Sequence, residues 1–422
     1  MQNKLNTFSK ISYYIRYKTG FESFSSKEYR YFWLAAAFSN IGIWCLSYAR
    51  IWLMHDMTGS TKMVGMVGFF TLSPVLILSV FGGILADRKN RLVNIRVTRL
   101  LFSVLGLTTA FLLLYDYINP ANLLIISLCA GILLALDLPS RASMLPALVD
   151  KRLLPGAISL YSIVFGASAI IGPVIFAPLV KLTGIQGVFF IISACYFLTF
   201  LSLLKMNTNI HKPRKIRRKI RSDLSGGFRY IYKNKSLFYL ILMGVSVTIF
   251  FSSFDTLIPK YSEDWLSGGI DSFGQILLGS GLGGLISTVI LIFYGTQFNH
   301  KNVIIYSCIG IGLSFILLTL FKNILVIFFA AMLVGGLKTF FNTMNTTLAQ
   351  ILAVNEFRGR VMSIHQLTWS SAAIGSLLIG YSAEFIGIRI TLIISGIFIS
   401  IFGFIFGRKL INKPIDDTQI KS

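Results

Sequence analysis

Arg50, Asp137, Asp255 and Lys338 each interrupt an otherwise apolar run of this sequence. An ionised side chain at the centre of a bilayer-spanning helix costs about 2.5–3.5 kcal/mol on insertion scales, so such residues are usually kept for function. Asp255 and Asp137 are the two carboxylates placed deep in such runs. Desolvation favours the neutral form of a carboxyl group, and a neighbouring cation favours the charged form. A carboxylate moved between those environments binds and releases a proton. Asp255 is therefore the first candidate for ion coupling and Asp137 the second, with Lys338 as a further interior charge. At 1.5 Å rise per residue, Arg50 and Asp255 both stand roughly 10 Å from the centres of their runs, toward the same side. Their matching depth predicts an Arg50–Asp255 pair acting as an outer gate. Asp137 lies roughly 6 Å to the other side, and Lys338 is nearly central. Two plainer readings stand beside these: Arg50 snorkelling to the headgroups, and Asp137 meeting Arg141 one turn on.

The elements that must hold these residues follow from composition. Of 422 residues, 55% are hydrophobic and 13% charged. A soluble domain carries about 25% charged residues, so a soluble multidomain enzyme is excluded. The 14% aromatic content excludes a disordered chain. Apolar runs long enough to span a bilayer fall at about 31–54, 63–85, 93–115, 122–145, 154–181, 187–206, 236–259, 272–297, 302–321, 324–352, 360–383 and 388–408. The expected fold is an all-α membrane protein with twelve transmembrane helices in two six-helix bundles. The four interior charges fall on spans 1, 4, 7 and 10.

The net charge is +23. Thirty-two of the 39 Lys and Arg residues fall on the side holding both termini and the 2–3, 4–5, 6–7, 8–9 and 10–11 loops. The positive-inside rule then places both termini in the cytoplasm, with anionic lipid headgroups rather than nucleic acid as the partner of the basic surface. The expected organisation is a cytoplasmic segment 1–30, a bundle 31–206, a basic cytoplasmic linker 207–235, a second bundle 236–408 and a tail 409–422. The first 30 residues are polar and basic without a short apolar core, so no signal peptide is expected to be removed.

The two halves repeat each other. Ile171, Gly172, Gly184, Ile185 and Ile191 match Ile374, Gly375, Gly387, Ile388 and Ile394 at a constant offset of 203. Upstream, the segment at Ala157 matches the one at Val361. Spans 5–6 therefore correspond to spans 11–12 as a parallel repeat about an axis along the membrane normal. A six-plus-six chain of this kind suggests a transporter that rocks one half against the other.

At the 2–3 loop the sequence resembles the major facilitator superfamily. Gly83, Asp87, Arg88 and Arg91 match that superfamily's conformational-switch motif, with Asn90 replacing its second Gly and Leu92 its final basic residue. Asn90 is read as a tolerable substitute because asparagine accepts the left-handed conformation. Gly172-Pro173 matches the start of the antiporter motif, whose closing Gly pair is here Phe176-Ala177. Asp137, Pro139, Arg141, Ala142, Pro146, Leu148 and Val149 resemble the branch containing enterobactin-exporter and macrolide-efflux proteins. The resemblance implies that spans 1, 4, 7 and 10 line a central cavity. It also implies that Asp87 caps a helix of the other half, and that a drug or siderophore is exported in exchange for protons, with consequences for drug resistance. Tyr48, Phe254 and Trp369 would offer stacking surface. The chain is expected to act as a monomer. An importer of a small nutrient, or a membrane sensor or lipid mover, are the alternatives.

Other chemistry is absent from the sequence. It has no phosphate-binding loop of the Walker type. His55, His211, His300 and His365 are scattered, and Cys45, Cys129, Cys195 and Cys308 have no paired spacing, so neither metal, cofactor nor disulfide framework is expected. Gly279, Gly281 and Gly284 spell a dinucleotide fingerprint but lie inside an apolar run, where close helix packing through Gly279 and Gly283 is the better reading. Asn345-Thr346-Thr347 spells a glycosylation site within span 10 and is set aside.

Overall fold

Asparagine starts many of the helices. Asn90, Asn119, Asn234, Asn299 and Asn323 all precede a helix in extended conformation, and each side chain accepts a backbone N–H of the first turn. This satisfies donors that a helix end otherwise leaves unpaired. Asn90 has φ −66°, so it serves as an N-cap, and the left-handed conformation expected there is not adopted.

In the computed structural model, residues 20–88, 90–150, 152–207, 220–354 and 356–411 are described, and they contain helices and no strand. The side chains of Asp87, Arg88 and Pro173, and the surroundings of Gly83, lie outside the described residues, as do the tail beyond residue 411 and most of the segment 207–219. The N-terminal half comprises α1 (Lys27–Thr58), α2 (Thr61–Arg88), α3 (Arg91–Leu114), α4 (Pro120–Met144) and α5 (Leu154–Leu204), which holds spans 5 and 6. A short helix α6 (Ile220–Lys233) follows. The C-terminal half comprises α7 (Lys235–Asp264), α8 (Gly269–Tyr294), α9 (His300–Leu320), α10 (Ile324–Leu352), α11 (Arg358–Ser370), α12 (Ala372–Ile386) and α13 (Ile388–Ile411).

Eleven segments among the described residues are long and apolar enough to cross a membrane. The twelfth span is α11 with α12. It is divided at Ser371, where the backbone N–H reaches Thr368 O in a tighter turn. The helices form two six-span bundles, and the repeat is visible in the backbone. Gly184, between spans 5 and 6, has φ 70° and ψ 170°, and Gly387, between spans 11 and 12, has φ 84° and ψ 157°. Both reversals need a positive φ that glycine adopts at little cost.

Gly279 and Gly283 lie against the backbone of α10 at Phe328 and Met332, and Gly335 lies against Ser280 of α8. The Gly279–Gly283 stripe is therefore a helix-packing surface, as expected.

Helices enter and leave the bundle on two faces. The near face holds the start of α1, the end of α13 and α6. The far face holds the α1–α2 turn, Gly184, the α7–α8 turn and Gly387.

Candidate functional site

The far face is closed by contacts between the halves. His55 Nε2 at the end of α1 is 2.6 Å from Glu263 Oε2 at the end of α7. Lys181 Nζ in span 5 is 2.5 Å from Asp271 at the first turn of α8. Glu384 of α12 accepts Ser60 Oγ at 3.2 Å, Thr61 Oγ1 at 2.9 Å and Lys62 N at 3.3 Å, all at the start of α2. Thr61 Oγ1 also donates to Gly380 O at 3.0 Å. Below these bonds, Gly65 and Gly380 approach so closely that neither has room for a Cβ.

Lys181 and Glu384 are related by the repeat offset of 203. Each holds the first turn of its opposite partner helix, α8 for Lys181 and α2 for Glu384. The two-fold arrangement is kept while the sign of the charge is reversed. A carboxylate at a helix N-terminus gains about 0.3–1 kcal/mol from the exposed N–H groups. Lys181 and Asp271 are more than half exposed, so their pair contributes little to stability.

An aromatic cluster roofs the interface beneath the seal. Tyr48 and Trp52 of α1 meet Phe273 of α8 at 6.2 Å and 5.1 Å, and Phe176 meets the same ring at 5.9 Å. The hydrogen bonds and ion pairs named above join the two halves on the far side.

Asp255 pairs with Lys338, not with Arg50. The Lys338 ammonium is 3.6 Å from Asp255 Oδ2, and the two side chains are 39% and 37% exposed. The ammonium also lies 3.9 Å from the centre of the Phe251 ring. On α1, Tyr48 faces the other half, against Phe273. Arg50 is two residues further on, about 200° around the helix, and points into the N-terminal half. The expected Arg50–Asp255 gate fails because depth was matched without helical phase. Arg50 does not snorkel to the headgroups either. Its side chain turns back along the helix, as helical side chains do, and Nε donates to Leu46 O at 3.3 Å.

A second charge centre is enclosed in the N-terminal half. Asp137 is fully buried between Arg99 Nη2 at 2.5 Å and Arg141 Nε at 2.6 Å. Thr98 Oγ1 donates to its other oxygen at 3.1 Å. Arg141 Nη1 reaches on to Asn40 Oδ1 at 3.1 Å. Arg99 lies 5.7 Å from the Tyr196 ring, which stacks on Phe102 at 4.9 Å. The predicted Asp137–Arg141 contact is present, and Arg99, which sequence reasoning does not single out, completes the centre. Its position six residues into span 3 was the available signal.

Arg91 Nη1 of the switch motif donates to Ser143 O at 2.7 Å, joining α3 to α4. Gly172 lies against Trp44 and Cys45 of α1, where a Cβ would clash. Phe254 is buried against Phe315 within the C-terminal half, so it does not face the interface. Trp369 is 44% exposed. His365 bonds Asn345 at 2.6 Å inside the C-terminal half, and no metal-binding group of side chains occurs among the described residues.

A family model described as "Transmembrane secretion effector" matches residues 18–421. The chain belongs to this family, a branch of the major facilitator superfamily. It is similar to the staphyloferrin A transporter of Staphylococcus aureus, with 27% identity over 377 residues, covering 87% of this chain and 92% of the relative. Macrolide efflux protein A of Streptococcus pyogenes is 23% identical over 376 residues, covering 86% and 91%. An enterobactin exporter of Shigella boydii is 26% identical over 267 residues, covering 61% and 62%. A solved POT family transporter in complex with 5-aminolevulinic acid superposes with a TM-score of 0.73 at 14% identity, covering 91% and 96%. That likeness is one of fold. The chain is a multi-pass membrane transporter and not an enzyme.

Proposed function

We propose that this transporter exports an amphipathic small molecule, a siderophore or a drug, across the bacterial inner membrane by alternating access coupled to protons. Basic residues concentrate on the near face, which the positive-inside rule assigns to the cytoplasm. The far face is then the outer one, and the seal described above belongs to an inward-open state. The efflux and siderophore relatives support this direction and this class of cargo.

The observation that carries the reading is an Asp255–Lys338 pair, each side chain more than a third exposed, in a molecule whose two halves are bonded to each other across the far face. A coupling carboxylate must be reached by water from whichever side is open. Asp255 meets that need, whereas Asp137 is enclosed with two guanidinium groups and acts as a structural keystone. Lys338 holds Asp255 while the cavity is empty, and cargo or proton binding releases the pair.

Energised inside-out vesicles carrying the protein should accumulate staphyloferrin A or a macrolide. Asp255→Asn should reduce this to the level of de-energised vesicles, while downhill exchange of the same cargo persists. Uphill accumulation that survives Asp255→Asn and still collapses with the proton gradient would remove Asp255 from the coupling role.

A further inference from the structure

Helix α6 is joined to span 7 through the single residue Asn234, which caps α7 by accepting Leu237 N at 3.2 Å. This short connection fixes α6 at the near surface of the bundle. One side of α6 is fastened to the start of span 11. Gly227 lies against Arg360 and Ile364, where a Cβ would come within 3.0–3.2 Å of their side chains, closer than van der Waals contact. The Tyr230 ring stacks on Phe357 at 4.5 Å, its hydroxyl accepts Val354 N at 3.3 Å, and Ile231 is buried.

The opposite side is largely exposed. Phe228 is 53% exposed and Tyr232 74% exposed, one helical turn apart. Arg229 and Lys233, also one turn apart, are exposed beside them. The aromatic surface continues onto the spans: Tyr232 meets Phe238 at 5.8 Å, Phe238 meets Tyr239 at 5.8 Å, and Tyr239 stacks on Phe406 of α13 at 6.3 Å. Lys409 lies over the Tyr239 ring at 5.2 Å, next to exposed Arg408. Aromatic rings prefer the headgroup level of a bilayer. Basic residues beside them are drawn to anionic lipid.

We propose that this collar on α6, α7 and α13 binds the phosphate headgroup of an anionic phospholipid. The rings of Phe228 and Tyr232 enter the acyl boundary, and Arg229, Lys233 and Lys409 pair with the headgroup. An amphipathic helix with aromatic and basic residues adjoining one another lies in the interface plane in this manner. Because α6 is also fastened to span 11, the lipid holds the near end of a helix that seals the far end through Glu384. The inference requires the chain to lie in a bilayer; it does not depend on the direction of transport or on the cargo.

The test is thermal unfolding of the purified full-length chain in a mild detergent, with phosphatidylglycerol, phosphatidylcholine or inorganic phosphate added. Phosphatidylglycerol should raise the midpoint well beyond phosphatidylcholine, and inorganic phosphate should not. The triple variant Arg229→Gln, Lys233→Gln, Lys409→Gln should lose most of the phosphatidylglycerol-specific shift. Phe228→Ser with Tyr232→Ser should lose it too, while Lys322→Gln on the far face keeps it. Equal shifts with both lipids, an equal effect of phosphate, or a full shift in the triple variant would overturn the site. Transport by the same protein in the vesicle experiment above tests the exporter reading separately.

Discussion

Asp137→Asn is expected to destabilise the folded protein by about 3–5 kcal/mol, the range found when one member of a buried ion pair is removed. The reason is geometric. Asp137 is the shared anion of Arg99 and Arg141, and all three side chains are nearly or fully inaccessible. Neutralising it leaves two guanidinium groups in an apolar bundle. The same argument gives a less obvious expectation. Replacing the whole centre by Arg99→Met, Asp137→Leu and Arg141→Met should be better tolerated than Asp137→Asn alone, because an intact apolar substitute has no charge to desolvate. Heating the purified variants in detergent and measuring the monodisperse fraction separates these cases. A triple variant less stable than Asp137→Asn would show that the centre contributes more than mutual neutralisation.

The spans, the repeat and the side carrying most of the charge were legible because each depends on local pattern. Gly184 and Gly387 needed only the constant offset to be paired, and both take the same positive-φ reversal. The interior charges were also legible as residues, and Arg141 as a neighbour of Asp137 one turn on, yet the Asp255–Lys338 pair was not. Arg50 and Asp255 share a depth, but partner choice depends on rotation about the helix axis, which hydrophobic runs leave undetermined. Tyr48 and Arg50 differ by two positions and look into different spaces. Arg99 was obscured by its nearness to the end of span 3, where a basic residue passes for a loop charge. Glu384, Glu263 and His55 were hidden for another reason. At a span end, a charged residue reads as solvated, and only the packing of opposite halves in one conformational state gives it a partner.

Gly380→Val should abolish the sealed far face and hold the transporter open on that side. The Cβ position at Gly380 is occupied by backbone of Thr61 and Gly65, and backbone cannot move aside as a flexible side chain does. Span 2 and span 11 must then part, carrying Glu384 away from Ser60, Thr61 and Lys62. Transport should fall to background, because a carrier that cannot close one face cannot complete its cycle. Glu384→Gln removes only the anion at the α2 N-terminus, worth about 0.3–1 kcal/mol. It should therefore shift the balance of states while leaving transport measurable. A cysteine pair introduced at Ser60 and Glu384 reports the difference. It should crosslink readily in the otherwise unaltered chain and poorly with Gly380→Val. Efficient crosslinking together with full transport in the Gly380→Val background would rule out the seal. The resemblance to the superfamily assigns Asp87, at the opposite end of span 2, a helix-capping task across to the other half. In that case the span 2–span 11 contact has an anion at each end, Glu384 acting in the state seen here and Asp87 in the reverse one. Neutralising Asp87 should then raise the Ser60–Glu384 crosslinking yield, whereas neutralising Asp137 should leave it unchanged in whatever fraction still folds.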